Sequence, residues 1–446
     1  MKDTNLKGNL KLLPLLACGG ALFSMHFGAS SMVWPMNWGK ESGSSFLLAF
    51  MGAFITSLLL VVVGYIALAK SHTSFSKMCE KTMGKKIGLY YAFLAILVNG
   101  PLYVIPRMPA ASWDSITQAF SLPDSKILMV IFIVVFHLIA YYFIINPGKT
   151  MDKISKILLP FLLIVVVLVV GKGILFPLSQ EQLPKVYSES AFAYGFTNGY
   201  ATGEILCALI FGAVIINSLK EKGVSENKIT INMIYVGIVG VGILTITHFC
   251  HMYMGSYTTE VFPDLGYTSL YTAVASSLYG KWGGYLFTIA LFFAALTTCI
   301  GMTSGCAEFF VDASDGKLNY KTTCIFILVL STIFANLGLT NILGWLSPIM
   351  DGIYPAVIVL VIYYALIPKF DTQRKINACR WATYTALAFG LLDMIWKYLV
   401  RLNINPLNIV NIYLKIPFAS VSLAWIPWVI VACVIGYLVN SKRFDN

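Results

Sequence analysis

Two stretches of this chain place small polar residues inside long apolar runs. Phe27-Gly28-Ala29-Ser30-Ser31 interrupts an apolar run over about 10–35, and Tyr194-Gly195-Phe196-Thr197-Asn198-Gly199-Tyr200-Ala201-Thr202-Gly203 interrupts another over about 190–218. A helix broken at such a run ends its first half in unpaired carbonyls and opens its second half with unpaired N–H groups and the positive end of the helix dipole. The first end suits an ammonium or a small cation, the second a carboxylate. Two such breaks facing each other would hold a zwitterion by its backbone, leaving Phe, Met, Ile and Val to line an apolar pocket. Close helix packing through Gly and Ser is the alternative for either run taken alone. Their pairing, each opening a group of five apolar segments, favours a pair of broken helices instead.

A third constellation is Ala294-Ala295-Leu296-Thr297-Thr298-Cys299-Ile300-Gly301. Hard cations take oxygen ligands, and the adjacent Thr297 and Thr298 hydroxyls with carbonyls of the first break would suit Na⁺. The alternative is that both threonines return a hydrogen bond to their own helix. Ionisable groups inside apolar runs are functional candidates, because burying a charge is costly. Arg107 lies in Gly100-Pro101-Leu102-Tyr103-Val104-Ile105-Pro106-Arg107, a proline-broken stretch. With Tyr103 it would stabilise a gate, or its side chain would snorkel outward. Glu204 follows the second break, where the dipole favours an anion and a gating or coupling role is open to it. Glu308, Asp351 and Asp393 read as groups near helix ends that face water. His248 and His251 share a helix face, but no further ligand accompanies them, so no metal site is expected there. No H-E-x-x-H, phosphate loop or nucleophile elbow occurs, so no catalytic residue is assigned and the chain does not read as an enzyme.

The elements that must position these residues follow from composition. Of 446 residues, 58% are apolar and 11% charged, with a mean hydropathy of +0.78. Soluble domains run at about 45–50% and about 25%. That difference excludes a disordered chain, a disulfide scaffold and a soluble α/β enzyme, and leaves a polytopic membrane protein in contact with the lipid bilayer. Periodicity and length predict twelve helices, at about 10–35, 45–69, 87–120, 126–146, 152–177, 190–218, 229–255, 281–311, 322–343, 346–367, 381–400 and 418–440. The net charge of +11 reads as a topology signal and not as a nucleic-acid footprint. Lys70, Lys77, Lys81, Lys85 and Lys86, with Lys369, Arg374, Lys375 and Arg380, form the densest clusters and predict both termini on the cytoplasmic side. Within the longest outer connection, 258–280, a half-apolar stretch over 270–278 predicts a short helix lying on the outer face. The nine cysteines show no C-x-x-C spacing, so neither disulfides nor a thiolate metal site are expected. The first apolar run is too long for a signal-peptide core, so no cleavage is expected. One domain over 1–446 is the simplest organisation.

These segments together resemble the bacterial branched-chain amino acid:cation symporters, the branched-chain amino acid transport system II carriers. The matching stretches are Phe27-Gly28-Ala29 to Trp34-Pro35, Gly100-Pro101-Leu102 through Ile105-Pro106-Arg107, Asn146-Pro147-Gly148-Lys149, Gly195-Phe196 to Gly199-Tyr200, Phe211-Gly212 with Asn217, Leu296-Thr297-Thr298 to Gly301, and Ser347-Pro348 to Tyr354-Pro355. They run over nearly the whole chain in the family's order. The resemblance implies an all-α LeuT-type fold of twelve transmembrane helices: inverted repeats over about 10–177 and 190–367, then two helices over about 381–440. Helices 1 and 6 would be broken. It implies a bacterial inner-membrane importer of leucine, isoleucine or valine coupled to Na⁺, or to H⁺ as in some related carriers, with no other cofactor. Carried over by residue, Phe27, Gly28, Ala29, Ser30, Ser31, Phe196, Thr197, Asn198, Gly199 and Tyr200 would line the substrate site. Thr297, Thr298, Ala294 and carbonyls near His26 and Phe27 would form the Na⁺ site. The chain departs from the family at Ser30-Ser31, where Gly-Asn is usual, at Asn198, where an acid is usual, and at Glu204, where Asp is usual. Another neutral amino acid is therefore the runner-up substrate. A lipid-modifying membrane enzyme and a pore are the rivals of other classes; the paired breaks oppose the first and the lack of a charged ring or filter repeat opposes the second.

Overall fold

A computed structural model describes residues 10–123, 125–145, 149–180, 183–184, 190–367, 372–405 and 408–439. The Asn146-Pro147-Gly148 part of one family stretch and Lys369 lie outside the described residues. Regular structure among them is helical throughout. The first expected segment is α1 (Leu12–His26) and α2 (Ala29–Ser42), the second is α3 (Phe46–Ala53) and α4 (Leu60–Ser71), and the amphipathic α5 (Phe75–Met83) follows. The third is α6 (Lys85–Leu97) and α7 (Ile105–Phe120), followed by α8 (Lys126–Ile145) and α9 (Lys149–Leu175). The broken sixth is α10 (Ala191–Tyr200) and α11 (Glu204–Glu221), bent by 44°. Beyond it come α12 (Glu226–Ser256), α13 (Tyr267–Tyr279), α14 (Lys281–Ala313), α15 (Tyr320–Ala335), α16 (Leu339–Leu366), α17 (Gln373–Arg401), the short α18 (Ile409–Tyr413) and α19 (Trp425–Leu438).

Among the described residues six stretches are long and apolar enough to cross a membrane: Ala29–Ser71, Lys85–Phe120, Lys126–Ile145, Glu226–Ser256, Lys281–Ala313 and Leu339–Leu366; the bent sixth segment makes a seventh. Leu12–His26, Pro160–Leu175, Tyr320–Ala335 and Trp425–Leu438 are apolar but shorter. Ile127, Ile131 and Leu138 of α8, Val167 of α9, Ile238 and Ile246 of α12, and Phe326 and Ile333 of α15 are all exposed. Water would not tolerate that surface, whereas lipid does.

Inside the bundle, small residues let backbones touch. A Cβ on Gly240 would strike Leu22 and the Gly19 carbonyl, one on Gly39 the Met252 carbonyl, and one on Gly255 the Met36 carbonyl, so α12 lies flush along α1 and α2. Likewise Gly195 meets the Ala49 carbonyl, Gly52 meets Phe192 and Phe196, and Gly199 meets Thr56 and Ala53, which seats α10 on α3.

The third segment is bent by chemistry, not broken. Pro101 has no N–H to donate, and the chain passes it in a π-helical turn over Val98–Val104. The Ser331 hydroxyl donates to the Pro101 carbonyl at 2.7 Å. Pro106 then falls in the first turn of α7, directly after the π-helical turn, and removes a second N–H from the same stretch. Arg107 emerges facing inward and is 1% exposed, so snorkelling to the membrane surface is overturned.

α5 and α13 mark opposite ends of the bundle: α6 starts directly after α5, and the far end of α7 reaches α13 through a 2.9 Å hydrogen bond between Ser115 and Thr272. The expected short helix over 270–278 is α13. At that end Lys40 Nζ donates to the Pro263 carbonyl at 2.8 Å and to the Leu265 carbonyl. Thr259 donates to the Lys40 carbonyl at 2.6 Å, and Asn37 accepts from the Tyr267 N–H at 3.1 Å. These bonds tie α2 to the segment entering α13.

Two expectations fail here. Asp351 and Asp393 are buried, not facing water, and Lys397 holds them at 2.8 and 3.6 Å while Tyr413 donates to Asp393 at 2.9 Å. The cation four residues along α17 is what allows both acids inside. Glu308, by contrast, is exposed at the α5 end as expected.

Candidate functional site

The break in the first segment is only Phe27-Gly28. The Phe27 N–H donates to the Phe23 carbonyl at 2.8 Å and the Gly28 N–H to the His26 carbonyl at 2.9 Å, while the Ser31 hydroxyl donates to the same His26 carbonyl at 2.6 Å. Helical geometry resumes at Ala29, and Gly28 gives α2 no side-chain cap. The first-turn N–H groups of α2 are thus left without a partner from a capping side chain.

The sixth-segment break is Ala201-Thr202-Gly203, later than the sequence suggested. α10 stays helical through Tyr200, where Thr197 returns its hydroxyl to the Ala193 carbonyl at 2.9 Å and Asn198 its amide to the Tyr194 carbonyl at 2.9 Å. The turn falls at Gly203, whose φ of 82° lies in the left-handed region and whose Cβ would strike Asn99. Protein side chains then satisfy both loose ends: Tyr103 donates to the Ala201 carbonyl at 2.9 Å, and the Ile205 N–H donates to the Tyr354 hydroxyl at 2.8 Å. Neither helix start has a capping side chain at its N-cap glycine, but at α11 Tyr354 accepts from a first-turn N–H.

The two breaks meet through a side chain. His26 Nδ1 lies 2.5 Å from Glu204 Oε2, and its Nε2 lies 2.5 Å from the Tyr65 hydroxyl. With Nδ1 donating to the carboxylate, Nε2 accepts from Tyr65 when the ring is neutral and donates when it is charged. Phe211 packs edge-on against the imidazole at 5.4 Å between centroids.

Around this pair is a small cavity of about 20 Å³. The first segment lines it with Met25, His26, Gly28, Ser30 and Ser31, the third with Val104, Arg107 and Met108, the sixth with Thr202, Glu204, Cys207 and Phe211, and α14 with Thr298 and Met302. The volume suits about one water molecule. Thr298 sits directly on Gly28, where a Cβ would meet its hydroxyl. Arg107 is roofed by Tyr103 at 4.0 Å and Trp34 at 4.6 Å from its guanidinium carbon to the ring centroids, and its Nε and Nη1 have no hydrogen-bond partner.

The structure therefore brings Gly28, Ser30, Ser31, His26, Thr298, Arg107 and Glu204 together. It leaves the other expected site residues outside the cavity. Phe27 stacks on Phe23 at 4.7 Å and Ala29 is buried. Phe196, Thr197, Asn198, Gly199 and Tyr200 belong to the α10 helix against α3, where close packing explains the glycines, and Tyr200 packs on Tyr354 at 5.1 Å. Thr297 donates to the Ala294 carbonyl at 3.0 Å, the helix-returning alternative. The His26 imidazole, Tyr65, Thr202, Cys207 and Met302 were missed; the presence of an imidazole inside an apolar run was a signal for the first of them. His248 and His251 are bonded to the Leu244 carbonyl at 2.9 Å and to the Thr247 carbonyl and Tyr271 hydroxyl at 2.5 and 2.9 Å, and neither lines the cavity.

A second, larger cavity of about 570 Å³ opens at the α5 end, lined by residues including His72, Asn217, Lys220, Glu308 and Asp312. Both cavities use α11 and α14: Phe211 and Met302 face the small one, Ile210 and Gly305 the large one, and Ile210 closes on Gly305.

Broken helices meeting at one small cavity inside a lipid-facing helical bundle define a membrane transporter of the LeuT type. The same fold is found in MhsT solved with L-phenylalanine (13% identity, TM-score 0.53, 97% of this chain and 99% of that one) and in Mhp1, a nucleobase-cation-symport-1 family transporter solved with bromovinylhydantoin (12%, 0.60, 95% and 91%). The chain belongs to the branched-chain amino acid transport protein family, whose sequence model matches residues 13–443. It is 28% identical to the branched-chain amino acid permease BraB of Bacillus subtilis (98% of this chain, 97% of that one). It is 27% identical to the branched-chain amino acid transport system 2 carrier protein of Pseudomonas aeruginosa (97% and 96%). It is thus a multi-pass membrane protein of amino-acid transport.

Proposed function

We propose that the protein imports leucine, isoleucine or valine by Na⁺-coupled alternating access across a bacterial cell membrane, with twelve spans in two inverted repeats and both termini in the cytoplasm. The observation that carries this reading is the junction at Gly28, where the first break, α14 and the small cavity coincide. Thr298 offers a hydroxyl against the broken backbone, which is the oxygen chemistry a hard cation takes. Met25, Val104, Met108, Phe211 and Met302 supply an apolar surround for a branched aliphatic side chain. At about 20 Å³ the cavity is too small for an amino acid, so loading requires its walls to part. The opening at the α5 end, with Ile210 on Gly305 as the remaining barrier, is the route of inward release. One Na⁺ crossing about 100 mV supplies about 2.3 kcal/mol and a tenfold gradient about 1.4, together enough for roughly 500-fold accumulation of a neutral solute.

A second reading rests on the 2.5 Å His26–Glu204 contact, which joins the two breaks through groups that exchange protons: H⁺ replaces or accompanies Na⁺. Counterflow in proteoliposomes with a panel of amino acids, with and without Na⁺ and with internal pH recorded, tests both. Leucine exchange that requires Na⁺ supports the first reading; Na⁺-independent exchange with internal acidification supports the second; no amino-acid exchange overturns both.

A further inference from the structure

Arg107 is the one arginine or lysine among the residues lining the small cavity, and it is 1% exposed. Its Nε and Nη1 lack hydrogen-bond partners, and it forms no ion pair among the described residues. The acid nearest in the cavity wall, Glu204, is committed to His26. The Trp34 and Tyr103 rings lie over the guanidinium and help to hold a desolvated cation, but neither satisfies its Nε or Nη1. A guanidinium buried with open donors is expensive unless a planar anion meets it. The same cavity wall carries Gly28, Ser30 and Ser31 at the uncapped start of α2, whose N–H groups and dipole favour that same anion.

We propose that Arg107 is the anchor for the α-carboxylate of the transported amino acid, acting with the N-terminus of α2, and so selects amino acids over amines. The assignment rests on the amino-acid transport reading above and makes Arg107 a specificity-determining contact and not a gate. It also explains why the third segment spends a π-helical turn at Pro101: the extra residue delivers Arg107 to the cavity. The fork of donors suits a carboxylate better than a single ammonium does.

The test compares equilibrium binding of leucine and of leucinamide, which lacks the carboxylate, to the purified full-length protein. Wild-type protein binds leucine about 100-fold more tightly than leucinamide, the value of a desolvated charge-assisted contact. In Arg107→Gln that preference falls below about tenfold because leucine weakens while leucinamide does not, and Arg107→Lys retains part of it. Wild-type protein that binds the two equally overturns the anchor without any variant, as does an Arg107→Gln protein with an unchanged preference. Failure of the wild type to bind leucine at all is a different result, which removes the amino-acid reading itself.

Discussion

Two residues decide whether the first break can work. Gly28 tolerates its φ of −94° with any side chain, so its requirement is steric: Thr298 occupies the place of a Cβ. Gly28→Ala is expected to lower stability by about 1–3 kcal/mol, and Thr298→Ala in the same chain to recover most of it, measured by thermal unfolding in detergent. The two threonines of α14 also part company. Thr297 spends its hydroxyl proton on the Ala294 carbonyl and Thr298 does not spend its own on protein, so Thr298→Val abolishes Na⁺-stimulated leucine binding while Thr297→Val reduces it far less. Equal effects would remove the distinction. Between the two breaks, His26→Leu leaves Glu204 without its partner and is expected to cost about 2 kcal/mol, whereas Glu204→Gln keeps a hydrogen bond to the ring and costs less. Ser31→Leu places bulk in the cavity and removes the donor to the His26 carbonyl, and leucine binding is lost; full uptake by that variant would take the first break out of the site.

At the scale of elements, the two interruptions that look alike in the sequence are different devices. The stretch from Gly195 to Gly199 is a contact surface that seats α10 on α3, and the chain unwinds only after it. Gly195→Val should therefore damage folding and membrane yield, not binding alone, and a well-folded Gly195→Val protein with lost binding would return that stretch to the site. Composition could not separate these outcomes, since Gly, Ser and Thr serve both close packing and broken helices. The discriminating facts are partners distant in sequence: Ala49 for Gly195, Tyr103 for the Ala201 carbonyl and Tyr354 for the Ile205 N–H. The prolines of the third segment misled in the same way. Pro101 looked like a break and is accommodated by a π-helical turn, because Ser331 of α15 takes up its carbonyl.

The molecule is tied together around α2 at the α13 end, where a cavity of about 690 Å³ lies beside the far end of α7, and is indented at the α5 end. Lys40, Asn37 and Thr259 bind α2 to the segment before α13, while about 570 Å³ opens among α4, α5, α11 and α14. On the proposed orientation, which puts the lysine-rich α5 end in the cytoplasm, a cysteine placed at Asn217 or Asp312 in a cysteine-free background is expected to react with a membrane-impermeant maleimide only from the cytoplasmic side. One at Trp282, 74% exposed near α13, reacts only from outside. The reverse pattern in spheroplasts and inverted vesicles would invert the assignment.

Composition and periodicity by themselves determined that this is a helical membrane protein, where its helices run, that a short helix caps one connection, and that its first and sixth segments are interrupted. Apolar excess and helix period are local quantities that the bilayer enforces on every residue alike. The tertiary structure decided which polar residues face one another: that His26 bridges to Glu204, that Thr298 and not Thr297 meets Gly28, and that Arg107 is buried at the cavity instead of reaching for the surface. It also decided that Asp351 and Asp393 share Lys397. Apart from Asp393–Lys397, four residues apart on one helix, those pairings join residues tens to hundreds of positions apart, and in a low-dielectric interior the worth of a polar group is set by the partner it meets.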